Sequence, residues 1–208
     1  MMMATTHALA GVVLALLVGA IFPESAAGSS LLPVAAAALG GLFPDFDLYA
    51  GHRKTLHFPV YFSIAAVAAA AIAVAVPTPL ALAAALFLAA AALHSAMDAL
   101  GGGLELKPWL GTSERAVYSH YHSRWIPPRR WVRYDGAPED LAVAVAFGLP
   151  AIYALDGLAE TGVIAAVAVS AVYAVLRKPM VIVTQAVVDA LPTRLADRLP
   201  ARFIDDFR

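Results

Sequence analysis

The chain has 208 residues, of which 61% are hydrophobic and 14% charged, with a formal net charge of −1 and no cysteine. This composition excludes an ordinary soluble domain, gives no reason to invoke nucleic acid and rules out disulfides. Any metal site must use imidazole and carboxylate ligands, a donor set that suits zinc first, with manganese, iron or magnesium as alternatives.

Uncharged apolar runs longer than about 17 residues recur along the chain, the length a helix needs to cross a hydrocarbon core of roughly 30 Å. The expected fold class is all-α: a polytopic transmembrane helix bundle of about six spans, drawn at 5–22, 30–43, 58–76, 80–100, 141–155 and 162–176. Small residues around Ser25, Ala26 and Ala27 follow the first run as they would in a secretory signal, but no Lys or Arg precedes it, so it reads as a retained span. Ala and Val dominate the spans, and small side chains let helices approach closely in lipid. Pro150 removes a backbone donor and should kink the fifth span.

The longest polar stretch, 101–140, holds Trp109, Trp125 and Trp131 together with Tyr118, Tyr121 and Tyr134, and reads as an aromatic belt at headgroup level. Arg124, Arg129, Arg130 and Arg133 lie among these rings, either as plain cytoplasmic charge or as holders of lipid phosphates. After Arg177 the run 180–191 is too short to span. Leu195, Leu199, Phe203 and Phe207 alternate with Arg194, Arg198 and Arg202, the pattern of an amphipathic C-terminal tail lying on the membrane surface. The expected organisation is a bundle over 1–178 and an interfacial tail over 179–208.

Six spans place the turns after Phe22, Val76 and Leu155 on one side, and these contain no Lys or Arg. All 14 basic residues fall on the other side, which the positive-inside rule makes cytoplasmic. A multi-pass protein of the cell membrane with both termini inside follows.

His7, His52, His57 and His94, with Asp45, Asp47 and Asp98, all fall on that cytoplasmic side. His94 and Asp98 are four residues apart, a spacing that puts both side chains on one helical face and lets them share an ion. Taken singly, a boundary histidine is more often a hydrogen-bonding residue, and Pro44-Asp45-Phe46-Asp47 fits a solvated turn. Jointly they point elsewhere, because an unpaired carboxylate at the depth of a span costs about 2.5–3.5 kcal/mol on insertion scales. A shared divalent cation would offset that cost.

The order and spacing of His7, Pro44-Asp45-x-Asp47, His52-Arg53, His57 and His94-x-x-x-Asp98 resemble the membrane-bound metal-dependent hydrolases of the YdjM-like family, over roughly the first 110 residues. The chain departs from the family pattern at Lys54 and in Leu56-His57-Phe58. The resemblance implies a hydrolase of the cell membrane and supplies no substrate. In that reading His7, Asp47, His57, His94 and Asp98 are ligands or near-ligands, and Asp45 orients a ligand or acts as general base. His52 is a further ligand or, with Arg53, a binder of substrate oxyanions. Imidazole- and carboxylate-bound zinc lowers the pKa of its water from about 15.7 toward about 7, so no nucleophilic side chain is needed. His120 and His122, in the aromatic loop, are candidate additional ligands.

The leading expectation is hydrolysis of an ester or phosphoester in a lipid or another membrane-proximal substrate. One alternative is a membrane protein whose cluster is a structural metal clip. Another is a transporter, which the absence of ionisable residues from the middles of the spans disfavours.

Overall fold

The computed structural model describes residues 2–22, 31–48 and 50–192. Six helices are described: α1 (Ala4–Ile21), α2 (Leu32–Leu42), α3 (Pro59–Ala75), α4 (Pro79–Leu100), α5 (Pro138–Ala154) and α6 (Gly157–Ala190). A 3-10 turn, Phe43–Asp47, continues directly from α2, and a second one covers Pro108–Leu110. Helices α2 to α5 each carry proline in their first turn, where its fixed φ suits the helix and its missing N–H removes no bond. The Thr78 side chain caps α4 by accepting from the Ala81 N–H at 3.2 Å.

Three of these helices, α1, α4 and α6, are long and apolar enough to cross a membrane, fewer than the six spans expected. The shortfall is one of length and charge. Helix α2 has 11 residues, about 16 Å of rise, and α3 is apolar throughout but has 17. Helix α5 also has 17 and carries Glu139 and Asp140 in its first turn. It runs without interruption through Pro150.

Helix α6 has 34 residues, about 51 Å of rise, and runs unbroken through Pro179, across the expected 178/179 boundary. Arg177 is what made an end plausible there. It is instead buried, its Nε donating to Asp135 Oδ2 at 2.7 Å, and a charge so paired need not stop a helix at water. The segment 193–208, to which most of the amphipathic tail was assigned, lies outside the described residues.

Helix α1 is the hub, packing on α2, α4, α5 and α6. On one side Leu9 and Val12 meet Ala144, Ala151 and Val163 of α5 and α6. On the other, Ala15 meets Ala37, Leu86 and Ala90 of α2 and α4. Two glycines set that second interface. A Cβ on Gly40 would stand 2.1 Å from the Phe87 carbonyl oxygen of α4, and one on Gly41 would stand 2.3 Å from the His7 carbonyl oxygen of α1. Only glycine lets α2 wedge between its neighbours at this depth.

The aromatic stretch contains strands that its sequence pattern did not show. Val117–Ser119 (β1) pairs antiparallel with Arg124–Ile126 (β2), placing Tyr118 opposite Trp125. Strands of three residues are too short to display a readable alternation. The hairpin lies over the 50–58 loop, with the Tyr118 N–H donating to the Arg53 carbonyl at 2.9 Å.

Candidate metal centre

Four stretches of chain meet at one end of the bundle: the start of α1, the 3-10 turn after α2, the loop before α3, and the last turns of α4. One ligand atom each from Asp45, His57, His94 and Asp98 can be chosen so that all lie within 4.8 Å of one another. His57 Nε2 is 3.1 Å from His94 Nε2 and 3.3 Å from Asp98 Oδ2. His94 Nε2 is in turn 3.5 Å from Asp98 Oδ2 and 3.4 Å from Asp45 Oδ1.

The other nitrogen of each imidazole is already committed. His94 Nδ1 donates to the Gly41 carbonyl at 2.6 Å. His57 Nδ1 donates to Asp47 Oδ2 at 3.1 Å. A carbonyl and a carboxylate only accept, so both Nδ1 atoms carry hydrogens, and in the neutral state each ring turns an Nε2 lone pair toward the other. Two such nitrogens 3.1 Å apart share a positive charge, either a proton on one of them or a metal cation beside both. Atoms held about 2.0–2.1 Å from a tetrahedral zinc stand about 3.3–3.4 Å from one another; four of the six separations, at 3.1–3.5 Å, match this, and all six lie within 4.8 Å. The four residues therefore fit a metal ion of this size.

The two aspartates of the Pro-Asp-x-Asp turn are placed differently, with Asp45 in the group of four and Asp47 beside it. Asp47 is buried and its oxygens are occupied. Oδ1 accepts from the His52 ring at 3.0 Å and the Arg53 N–H at 3.2 Å, and Oδ2 accepts from the Leu56 N–H at 3.0 Å and from His57. It ties the loop together and orients His57, while Asp45 faces the cluster. The Asp45 side chain is 21% exposed, so among the described residues Asp45 is the member of the four that solvent reaches. His52 stands behind Asp47 and outside the group of four.

Arg53 is fully buried and turned inward. Its Nη1 donates to the carbonyls of Gly102 and Ala116 at 3.0 Å each, and its Nε lies 3.4 Å from Asp98 Oδ2. Its φ of 61° is left-handed, a conformation that costs a non-glycine residue about 1–2 kcal/mol and that brings its N–H to Asp47. An oxyanion in solvent has no direct path to this guanidinium. His7 stacks on His94 with ring centroids 3.7 Å apart, and its Nε2 is 3.4 Å from Asp98 Oδ1.

The electrostatics favour positive charge at the cluster. Burial pushes the Asp47 carboxyl up, but hydrogen bonds from His52, His57 and the Leu56 N–H outweigh it and hold the group well below the usual carboxylate range. Asp45 is likewise pushed up by burial and drawn down further by His94 and His7. Burial lowers His57, yet Asp47 and Asp98 outweigh it and raise the imidazole above its ordinary value.

His120 and His122 are elsewhere, in the hairpin turn. His120 Nε2 donates to the Lys54 carbonyl at 2.6 Å, and His122 Nδ1 pairs with Ser119 Oγ at 3.0 Å. Sequence reasoning missed Asp140, a buried carboxylate of α5 that accepts from the Met3 N–H and Thr6 Oγ1 at 2.7 Å each and from the Gly136 N–H at 3.0 Å. It fixes the start of α1 immediately before His7. An acidic pair, Glu139-Asp140, at the end of a polar stretch gave no signal of this. Comparison with known proteins adds no identity: no family model matches the chain, and no curated protein or solved structure does.

Proposed function

We propose that the chain is a multi-pass membrane hydrolase that holds a divalent cation between Asp45, His57, His94 and Asp98 and cleaves an ester or phosphoester of a membrane-proximal substrate. The observation that carries the reading is the facing pair of Nε2 atoms, 3.1 Å apart, each on a ring whose Nδ1 is committed to an acceptor. The resemblance to the YdjM-like hydrolases supports it independently, since His7, Asp45, Asp47, His57, His94 and Asp98 all belong to that pattern. A divalent ion bound by such residues lowers the pKa of water toward about 7.

The side chains divide the remaining work. Asp47 and the Gly41 carbonyl keep His57 and His94 in the tautomer that exposes Nε2. Arg53 positions Asp98 and balances its charge. Asp45, the exposed member, meets substrate and can take a proton there. This opening favours catalysis over a structural clip, whose ligands close the coordination sphere.

In this reading helices α2, α3 and α5 complete the membrane domain as shorter spans beside α1, α4 and α6, and the 14-to-none distribution of basic residues that six spans give supports a site on the cytoplasmic side. Metal analysis of the purified protein, with esterase and phosphoesterase assays run with and without chelator, tests the function. Stoichiometric metal and chelator-sensitive turnover are expected. A metal-free protein would sink the centre, and metal without turnover would reduce it to a clip. A cysteine at Thr78 should label only from outside and one at Ser113 only from inside.

A further inference from the structure

The centre just described leaves the His7 ring and one oxygen of Asp98 unused. Among the described residues, neither ring nitrogen of His7 and neither carboxylate oxygen of Asp98 has a hydrogen-bond partner, and both residues are only 1% exposed. His7 Nε2 faces Asp98 Oδ1 at 3.4 Å, too long for the charge-assisted hydrogen bond of about 2.7–2.9 Å that such a pair would form.

His7 is badly placed to serve the first ion. Its ring is stacked on that of His94, with centroids 3.7 Å apart and planes inclined by 24°. An imidazole lone pair lies in the plane of its ring. Two stacked rings therefore aim at separate points, and an ion in the plane of His94 lies well out of the plane of His7. Asp98 is oriented to match both. Its Oδ2 faces His57 and His94 at 3.3 and 3.5 Å, and its Oδ1 faces His7. The ring spacing is close to the distance of about 3.5–4 Å that separates the ions of two-metal hydrolytic sites.

We propose that His7 Nε2 and Asp98 Oδ1 form a second divalent-cation subsite, bridged to the first ion through the Asp98 carboxylate. The proposal rests on the first centre holding a metal. Imidazole and carboxylate suit Zn²⁺ or Mn²⁺. With two protein atoms rather than four, the second ion is held more weakly, and its remaining positions call for ligands from outside the chain. Charge indicates what fills them. Asp45, Asp47 and Asp98 against Arg53 leave an excess that one divalent ion neutralises, so a second makes the pocket cationic. A phosphoester, whose oxyanion restores neutrality and whose attacking and leaving oxygens two ions can clamp, is the substrate class this arrangement fits.

The test uses the full chain in detergent. At saturating free Zn²⁺, elemental analysis should find two equivalents in the wild type, the second with weaker affinity, one in His7→Ala and two in His120→Ala, which removes a histidine outside the cluster. The wild type loaded with Mn²⁺ should give the electron paramagnetic resonance spectrum of an exchange-coupled pair, a reading that needs no variant to fold. One equivalent in the wild type, or two uncoupled equivalents unchanged by His7→Ala, overturns the second subsite and leaves the first centre standing. No bound metal in the wild type overturns both.

Discussion

Asp98 and Asp140 are both buried carboxylates on helices that pack against α1, and adjacent residues of α1 face them, His7 the first and Thr6 the second. Their surroundings differ in kind. Asp140 accepts three hydrogen bonds from groups that can only donate or readily do so. Asp98 has none, and stands among three imidazoles and a guanidinium at 3.3–3.5 Å. A buried carboxylate satisfied by its own chain is a fastening, whereas one surrounded by nitrogen atoms just beyond bonding distance is arranged for something that sits between them.

The largest effect expected from this contrast is at the cluster. His94→Ala and Asp98→Asn should each abolish stoichiometric metal and any hydrolytic turnover, and the double variant should be little worse than either, because groups acting on one ion are non-additive. The bundle should persist, since its apolar helices insert without the ion and losing a buried charge eases insertion. Metal content by elemental analysis, read beside size-exclusion behaviour in detergent, decides the matter. Variants that keep their metal, or that lose the fold with it, would remove the distinction between the two carboxylates.

A smaller loss is expected one layer out. Asp47→Ala frees the His57 ring and unties the 52–57 loop without removing a ligand, so metal affinity should fall about 10–100-fold while stoichiometry at saturating metal is kept. Competition with a calibrated chelator measures this. Loss of the ion even at saturation would return Asp47 to the ligand set.

The different placement of Asp45 and Asp47 shows where the sequence stopped being legible. The pair His94 and Asp98 could be read because a regular helix fixes the direction of residues four apart. Asp45 and Asp47 lie in a 3-10 turn, where residues two apart point about 240° around the axis from each other, so one faces the cluster and the other the loop. Nothing in Phe43-Pro44-Asp45-Phe46-Asp47 specifies a turn of this type over an irregular one. The burial of Arg53 was not legible for a related reason, since its left-handed φ turns inward a side chain that a surface loop would ordinarily present to solvent. The fold was legible where a long apolar run is unbroken by charge, as in α1 and α4, and less so where charge interrupts it. At Arg177 a buried partner 42 positions away in sequence, Asp135, carries the helix onward.

Asp140→Ala should sharpen the comparison from the other side. It leaves the Met3 and Gly136 N–H groups and the Thr6 hydroxyl without their acceptor, at a cost of about 1–3 kcal/mol for such buried groups, seen as a lower unfolding midpoint in detergent. None of Asp45, His57, His94 and Asp98 lies on α1, so the first ion should stay. If Asp140→Ala lost that ion as completely as Asp98→Asn, the two carboxylates would belong to one unit and the division between fastening and ligand would fail.

The smallest effect concerns a histidine whose residue type alone would rank it with His7 and His94. His120 gives its Nε2 hydrogen to the Lys54 carbonyl at 2.6 Å and packs on the Phe58 ring at 4.7 Å between centroids. It is a latch between the hairpin and the loop that carries His57, and its hydrogen bond is accounted for within the chain, as that of Asp140 is. His120→Ala should cost about 0.5–1.5 kcal/mol, the net contribution of one such bond, and should leave metal stoichiometry and the metal dependence of turnover unchanged. Its influence on the site passes only through the loop backbone, so any change in activity should be recovered by His120→Asn, whose amide can donate to the same carbonyl. Loss of an ion in His120→Ala that His120→Asn fails to restore would make this residue a ligand and break the rule that a group already satisfied by the chain is not waiting for one.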